Sequence, residues 1–212
     1  AGDMDNDGVV EFVVGHNGGG GVRLLDRNGE EKWRQPDANV WHVEVVDTDG
    51  DGVLEIVHSN AEGQITIRDA NGQVLNRANP GPYLSDFSLC RWPTNSDPLR
   101  LLLAEDDQVW LFDFDGATVA SFSASKAGSD GEARGTLVSF KESQRPNTSF
   151  IVSRDNLDRA ILYVYDSTGT LVFEEIIGES CAALAATPLD ETGAEVLLIG
   201  GHGMVWEYRL QD

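Results

Sequence analysis

Two stretches of the chain hold the residue types that could do chemistry. Asp3-Met4-Asp5-Asn6-Asp7-Gly8-Val9-Val10-Glu11 and Asp47-Thr48-Asp49-Gly50-Asp51-Gly52-Val53-Leu54-Glu55 are one nine-position pattern written twice. Carboxylates at alternate positions 1, 3 and 5, a glycine at 6 for a sharp turn and a backbone carbonyl at 7 would wrap hard oxygen ligands around a calcium ion, as in the first half of an EF-hand loop. The second half differs. Val14 and His58 stand where an EF-hand needs its last Glu, and no helical period flanks either loop. The acid at position 9 would instead close the shell from the start of the following strand. The expected ligands are therefore Asp3, Asp5, Asp7, Glu11 and the Val9 carbonyl in one loop, and Asp47, Asp49, Asp51, Glu55 and the Val53 carbonyl in the other. Two Ca2+ sites follow, structural in role, because a divalent cation reverses the mutual repulsion of the carboxylates and pins the connection. A solvated acidic turn without an ion is the plainer alternative, but composition alone does not align two copies of such a pattern. Later segments lose it: Thr94-Asn95-Ser96-Asp97-Pro98-Leu99-Arg100 puts Arg where the last acid should be, Lys141 to Asn147 has lost the series, and Asp190 to Glu195 keeps fragments.

These loops have to be held by repeated elements, since the sequence is self-similar well beyond them. Val22-Arg23-Leu24-Leu25-Asp26-Arg27-Asn28-Gly29 is echoed by Ile65 to Gly72, Val109 to Gly116 and Tyr163 to Gly169, each with an Asp-x-x-Gly turn, and Val205-Trp206-Glu207-Tyr208 begins a fifth copy. The turn aspartates are spaced by 43, 44 and 53 residues. Each copy consists of short β-branched or aromatic runs separated by Gly, Asn and Asp turns, which is strand-and-hairpin patterning. In the second unit the spacing predicts strands over 42–46, 54–57, 64–68 and 73–76, and inner strands of later units over 86–90, 135–140 and 181–185. A four-stranded antiparallel meander repeated at 40 to 50 residues is the sequence form of a propeller blade, because one such sheet cannot bury both faces without stacked neighbours. The expectation is an all-β chain: one β-propeller domain over 1–212 of about five four-stranded blades, with units near 1–40, 41–84, 85–134, 135–180 and 181–212, or a segment of a larger propeller. A solenoid is the lesser alternative. The first unit lacks its innermost strand and the fifth its outermost.

Asp-x-Asp-x-Asp-Gly-x-x-Glu followed by a Val-Val-Gly-type strand, as in Asp3 to Gly15, resembles the FG-GAP/VCBS family of propeller repeats, found in integrin α-subunit heads and in bacterial secreted proteins. The resemblance covers the first two units through the loops and the rest through strand pattern. Leu25 to Trp33 also looks like the repeat of quinoprotein-type propellers, in which Asp-x-x-x-Gly-x-x-x-Trp is a structural turn; that motif concerns blade packing and does not imply the quinone. Membership would imply a calcium-stabilised, secreted or cell-surface binding module.

In a four-stranded blade the first-to-second and third-to-fourth connections share one end, so the acidic loops and the Asp-x-x-Gly turns are expected together. The opposite end then holds His16 and the glycines 18–21, read as a flexible loop, with His58, Glu105 to Asp107, Arg154 to Arg159 and His202, and with Trp41 and Tyr83 beside the inner strands. Rigid scaffolds present binding groups on such loops. The candidate ligand-binding residues are accordingly His16, Trp41, His58, Tyr83, Arg154 and His202. A histidine cluster could serve a transition metal or a general base, but the offsets of His16 and His58 from the aligned acid differ, so convergence is not required. Trp41 and Tyr83 could stack on a sugar, while aromatics so placed more often pack between blades.

Composition narrows the partners. Against 36 Asp and Glu stand 15 Lys and Arg, and a net charge of −21 opposes docking onto nucleic-acid phosphates or anionic membranes. No apolar run approaches the roughly 18 residues of a membrane span, and the first residues carry no targeting pattern. The chain opens inside a motif, which leaves room for further domains of a longer native chain. Cys90 and Cys181 sit in apolar runs and read as buried small hydrophobes rather than a disulfide. Calcium loops of modest affinity suit an extracellular, cell-surface or periplasmic setting. The expected function is non-catalytic binding of a protein or glycan through the loop end opposite the calcium loops. The alternatives are a carbohydrate-active enzyme on a propeller scaffold, such as a polysaccharide lyase, or a purely structural repeat. No nucleophile elbow, paired-Cys zinc pattern or phosphate loop supports catalysis.

Overall fold

The computed structural model describes residues 1–81, 87–92, 97–105, 108–123, 133–139, 148–156, 159–166, 168, 170–179, 181, 183–188 and 195–209. Among them there is no helix. Among the described residues eighteen strands form five antiparallel sheets, each a meander in chain order. The first sheet is β1 (Phe12–His16), β2 (Gly21–Leu25) and β3 (Glu31–Gln35); the second is β4 (Val40–Val46), β5 (Glu55–Asn60), β6 (Ile65–Arg68) and β7 (Val74–Ala78). The third holds β8 (Ser88–Arg91), β9 (Leu99–Glu105), β10 (Gln108–Phe112) and β11 (Thr118–Ser123), and the fourth β12 (Ala133–Ser139), β13 (Thr148–Asn156), β14 (Arg159–Asp166) and β15 (Leu171–Ile177). The last is β16 (Ala183–Pro188), β17 (Glu195–Gly200) and β18 (Val205–Tyr208). The first sheet has three strands because only Gly2, bridged to Glu11, stands where an innermost strand would run.

The outer hairpins of the first, second and fourth sheets form where an aspartate supplies the turn. Asp26 Oδ1 accepts from the Asn28 and Glu30 N–H groups at 2.8 Å each, and Asp69 and Asp166 do the same for Asn71 with Gln73 and for Thr168 with Thr170. An aspartate side chain thus organises the backbone of the turn it begins. Past the turn the outer strand carries a β-bulge in three of the sheets: Leu24 pairs with Trp33 while Leu25 pairs with Glu31, and the register shifts equivalently at Ile67/Arg68 and Val164/Tyr165. The extra residues are Lys32, Leu75 and Val172. A bulge re-aims the side chain it inserts.

The chain divides into two compact units, Ala1–Asp86 with Phe112–Thr118, and Phe87–Leu111 with Val119–Asp212. The core of the first unit is Met4, Val22, Leu24, Val40 and Ile56, flanked by Val13, Trp33, Val43, Val45 and Leu54. Burying each such side chain is worth about 1.5–3 kcal/mol. The approach of β1 to β4 is close enough that a Cβ on Gly15 would lie 2.5 Å from Val40 Cγ1, so no side chain fits at Gly15. In the second unit one cluster joins Cys90, Leu102, Val109 and Leu111 to Tyr163 and Tyr165, and another joins Leu162, Val164 and Ile177 to Cys181, Leu197 and Ile199. Both cysteines are free and buried, and burial pushes the Cys90 thiol up, out of the range of reactive thiols.

Candidate metal centre and loop face

The two acidic segments fold alike. In the second, Asp47 turns its carboxylate back into the loop, accepting from Gly50 N at 2.6 Å and Gly52 N at 2.9 Å, while Asp49 Oδ1 accepts from Asp51 N and Asp51 Oδ1 from Val53 N. In the first, Asp3 accepts from Asp7 N and Gly8 N, and Asp7 from Val9 N. The glycine at position 6 has φ of +84° in Gly8 and +86° in Gly52, the left-handed geometry the turn demands. At position 9 the glutamate is buried: Glu11 is 2% exposed and Glu55 6%. One oxygen of each holds the backbone of position 2, Glu11 Oε2 accepting from Met4 N at 2.9 Å and Glu55 Oε2 from Thr48 N at 2.8 Å. Thr48 adds its hydroxyl at 2.9 Å, whereas Met4 buries its side chain in the core.

Three carboxylates converge in each loop. Asp3, Asp5 and Glu11 offer oxygens all within 4.8 Å of one another, as do Asp47, Asp49 and Glu55. Oxygens sharing one calcium ion at 2.3–2.6 Å are separated by at most about 5 Å, so both sets match the span of a coordination shell. Asp7 and Asp51 stand outside the converging set and are engaged with the backbone N–H of Val9 and Val53. Backbone donors, Gly50 first, hold the Asp47 carboxyl below the usual range.

The first loop differs in a further respect. Lys32 Nζ, on the bulge of β3, lies 2.9 Å from Asp5 Oδ2 and 3.1 Å from Glu11 Oε1. The lysine hydrogen bond holds the Asp5 carboxyl down, and Asp5 and then Glu11 hold the Lys32 ammonium up. This contact also puts the acidic loop and the β2–β3 hairpin of the first sheet at the same end, as expected for the corresponding connections of a four-stranded blade.

At the other end of the first two sheets, Asn39 ties three connections together. Its N–H donates to Gly18 O at 2.8 Å, its Oδ1 accepts from Gly18 N at 3.0 Å, and its carbonyl accepts from Ala61 N at 3.0 Å. The glycine-rich loop is thereby anchored at Gly18, not free as expected, because Asn39, itself at φ +51°, supplies side chain and backbone to it. Of the candidates, Trp41 stands out in solvent at 58% exposure, against the expectation of packing between blades. His16 is half-buried against its own loop, where a Cβ on Gly20 would touch it. His202 is exposed. Arg154 lies on β13 opposite Ala133 and Ile161; its side chain, like Tyr83 entirely, falls outside the described residues.

His58 is not on a loop surface. It is 1% exposed, and its Nε2 accepts from Arg68 Nε at 3.3 Å and lies 3.5 Å from Asp37 Oδ2. Arg68 donates Nη1 to Gly72 O at 2.6 Å and pairs Nη2 with Asp37, which Arg77 approaches at 3.6 Å. Burial, with the Arg68 charge and against the pull of Asp37, pushes the His58 imidazole down to about 4. Sequence reasoning missed this cluster. Its signal is that the residue before each turn aspartate is Leu25, Arg68, Phe112 and Tyr165, so an arginine occupies an otherwise apolar position. Asp37, in the β3–β4 connection, is its counter-charge.

Residues 3–58 match the FG-GAP-like repeat model. No curated protein matches the sequence. Among solved structures the chain is similar to BBS1N, crystallised in complex with ARL6DN and soaked with mercury, at 15% identity and TM-score 0.66 over 94% of this chain and 62% of that one. A lead-soaked crystal of the same complex gives TM-score 0.53 at 15% identity, over 82% and 54%. A protein of unknown function from Bacteroides caccae gives 0.49 at 14% identity, over 89% and 66%. The chain thus spans about three-fifths of the length of the BBS1N structure it resembles, and at such identity the likeness is one of fold. The repeated meanders, the matched segment and the likeness in fold to BBS1N agree: the chain has the all-β architecture of a β-propeller and carries an FG-GAP-like repeat over residues 3–58.

Proposed function

We propose that the chain is a non-catalytic binding module, stabilised by a divalent cation bound in an acidic loop, working in an extracellular, cell-surface or periplasmic setting and recognising a protein or glycan through the opposite loop end. The observation that carries this reading is the convergence of Asp47, Asp49 and Glu55 on one 4.8 Å cluster in a loop whose backbone is wrapped around Asp47. These three residues would hold the ion, which supplies positive charge fixing the β4–β5 connection to the start of β5. Each carboxylate keeps lone pairs beyond those its backbone donors use. Free calcium is abundant outside cells, where sites of modest affinity fill.

For recognition, Trp41 offers a large exposed aromatic surface on the rim of a connection that Asn39 ties down through its hydrogen bonds to Gly18 and Ala61. Such a ring stacks on a sugar or anchors a protein contact at low entropic cost. A lyase or hydrolase would need cationic and acidic groups meeting in an accessible depression. In the Asp37–Arg68–His58 cluster His58 and Arg68 are buried and bonded to one another, with only Asp37 part-exposed.

Calorimetric titration of calcium into the intact chain tests the cation reading. Saturable binding abolished by Asp49→Asn or Glu55→Gln is expected; the absence of binding at millimolar calcium sinks it. Electrophoretic retardation in gels containing soluble polysaccharides, compared with Trp41→Ala, separates a glycan from a protein partner.

A further inference from the structure

We infer that the two acidic loops are not equivalent: the Lys32 ammonium takes the cation position of the first loop, and the second alone is left for a divalent ion. This rests on the cation reading of the second loop. The lysine bonds two of the three converging residues, Asp5 at position 3 and Glu11 at position 9, and Glu11 is buried, so the pair is shielded from solvent on the glutamate side. Lys32 gets there because it is the inserted residue of the β3 bulge. At the same bulge the second and fourth sheets carry Leu75 and Val172, both exposed and unable to play this part. Among the described residues no Lys or Arg pairs with Asp47, Asp49 or Glu55.

Charge arithmetic gives the consequence. A divalent ion entering the first loop must displace a tethered monovalent one from two charge-assisted hydrogen bonds. Restoring even one of those bonds to water weakens binding roughly tenfold or more. The first loop is then neutralised by the chain itself and keeps its shape without metal, while the second depends on the ion.

Calcium stoichiometry of the intact chain, read by calorimetry for wild type, Lys32→Met, Lys32→Gln, Lys32→Arg, Asp5→Asn and Asp49→Asn, tests this. The expected result is one tight ion per wild-type chain, lost in Asp49→Asn and unchanged in Asp5→Asn and Lys32→Arg. A second ion should bind in Lys32→Met and Lys32→Gln. Two ions of equal affinity in wild type, or a single ion in both neutral lysine variants, overturns the inference while the cation reading stands. No binding in any variant overturns both. Circular dichroism confirming a native β spectrum accompanies each variant.

Discussion

Trp33 Nε1 donates to the carbonyl of Ala70 at 2.8 Å, joining the outer strand of the first sheet to the turn of the second. One repeat later, Asn76 Nδ2 donates to Phe114 O at 3.0 Å, with a different side chain at the equivalent place. Trp33 follows its turn aspartate by seven residues, as does Asn76. In the first two repeats this place holds a donor reaching the next turn, a tryptophan in one and an asparagine in the other, whereas Ala120 and Phe173 stand there in the third and fourth. Replacing Trp33 by Phe or Asn76 by Ala should each cost about 1 kcal/mol, the net worth of one neutral hydrogen bond. Urea denaturation midpoints measure it.

The turn glycines Gly72 and Gly116 are packed against the preceding sheet. A Cβ on Gly72 would lie 3.1 Å from the Trp33 ring and 2.9 Å from Gln35 Nε2, whereas one on Gly29 meets nothing within 4 Å. Both have positive φ, +78° and +84°. Gly29→Ala should show only the backbone cost of about 1 kcal/mol, and Gly72→Ala that cost plus the clash. Equal losses in chemical denaturation would mean that the turn is not packed as described.

Asp37 and Arg68 form a largely buried pair. Leaving Arg68 without its partner, by Asp37→Ala, should cost about 3 kcal/mol or more. Adding Arg68→Leu, which restores the apolar character of Leu25 and Phe112 at the same repeat position, should recover part of that loss. A double-mutant cycle reads the coupling.

His58 is held neutral in the folded chain, its pKa lowered from 6.5 to about 4. Well above pH 6.5 it is neutral folded and unfolded and contributes no slope. As pH falls below 6.5 the unfolded chain takes up a proton that the folded chain refuses, so stability drops, by about 2 kcal/mol at pH 5. The pH 7-to-5 change in unfolding free energy should be smaller by about that amount in His58→Gln. Identical slopes would place the imidazole in contact with solvent.

How much of this was legible beforehand follows from where each interaction's information lies. The acidic loops and the Asp-x-x-Gly turns could be read because their geometry is local: alternate carboxylates, a glycine at positive φ and a turn-initiating aspartate lie within nine residues. The strands predicted at 42–46, 54–57, 64–68 and 73–76 lie within a few residues of β4 to β7 for the same reason. Lys32 was not legible as a partner of Glu11, since it lies 21 residues away and depends on a bulge that no residue type announces. His58 reads as a loop residue from its place near the end of a strand, and only the Asp37–Arg68 pair explains its burial. The retreat of Asp7 and Asp51 from the converging set reflects their engagement with Val9 and Val53 amides, a two-residue turn preference that competes with the ligand role.

The measurement that bears most directly on the central claim is thermal unfolding of the intact chain in millimolar calcium and again in excess chelator, for wild type and for Asp47→Asn. A ligand bound only to the folded state adds about 2.7 kcal/mol at a hundredfold excess over its dissociation constant. The account predicts a rise in Tm of several degrees with calcium in wild type, absent in the variant. Superimposable wild-type curves would contradict it, leaving the acidic loops as turns held by their own backbone hydrogen bonds.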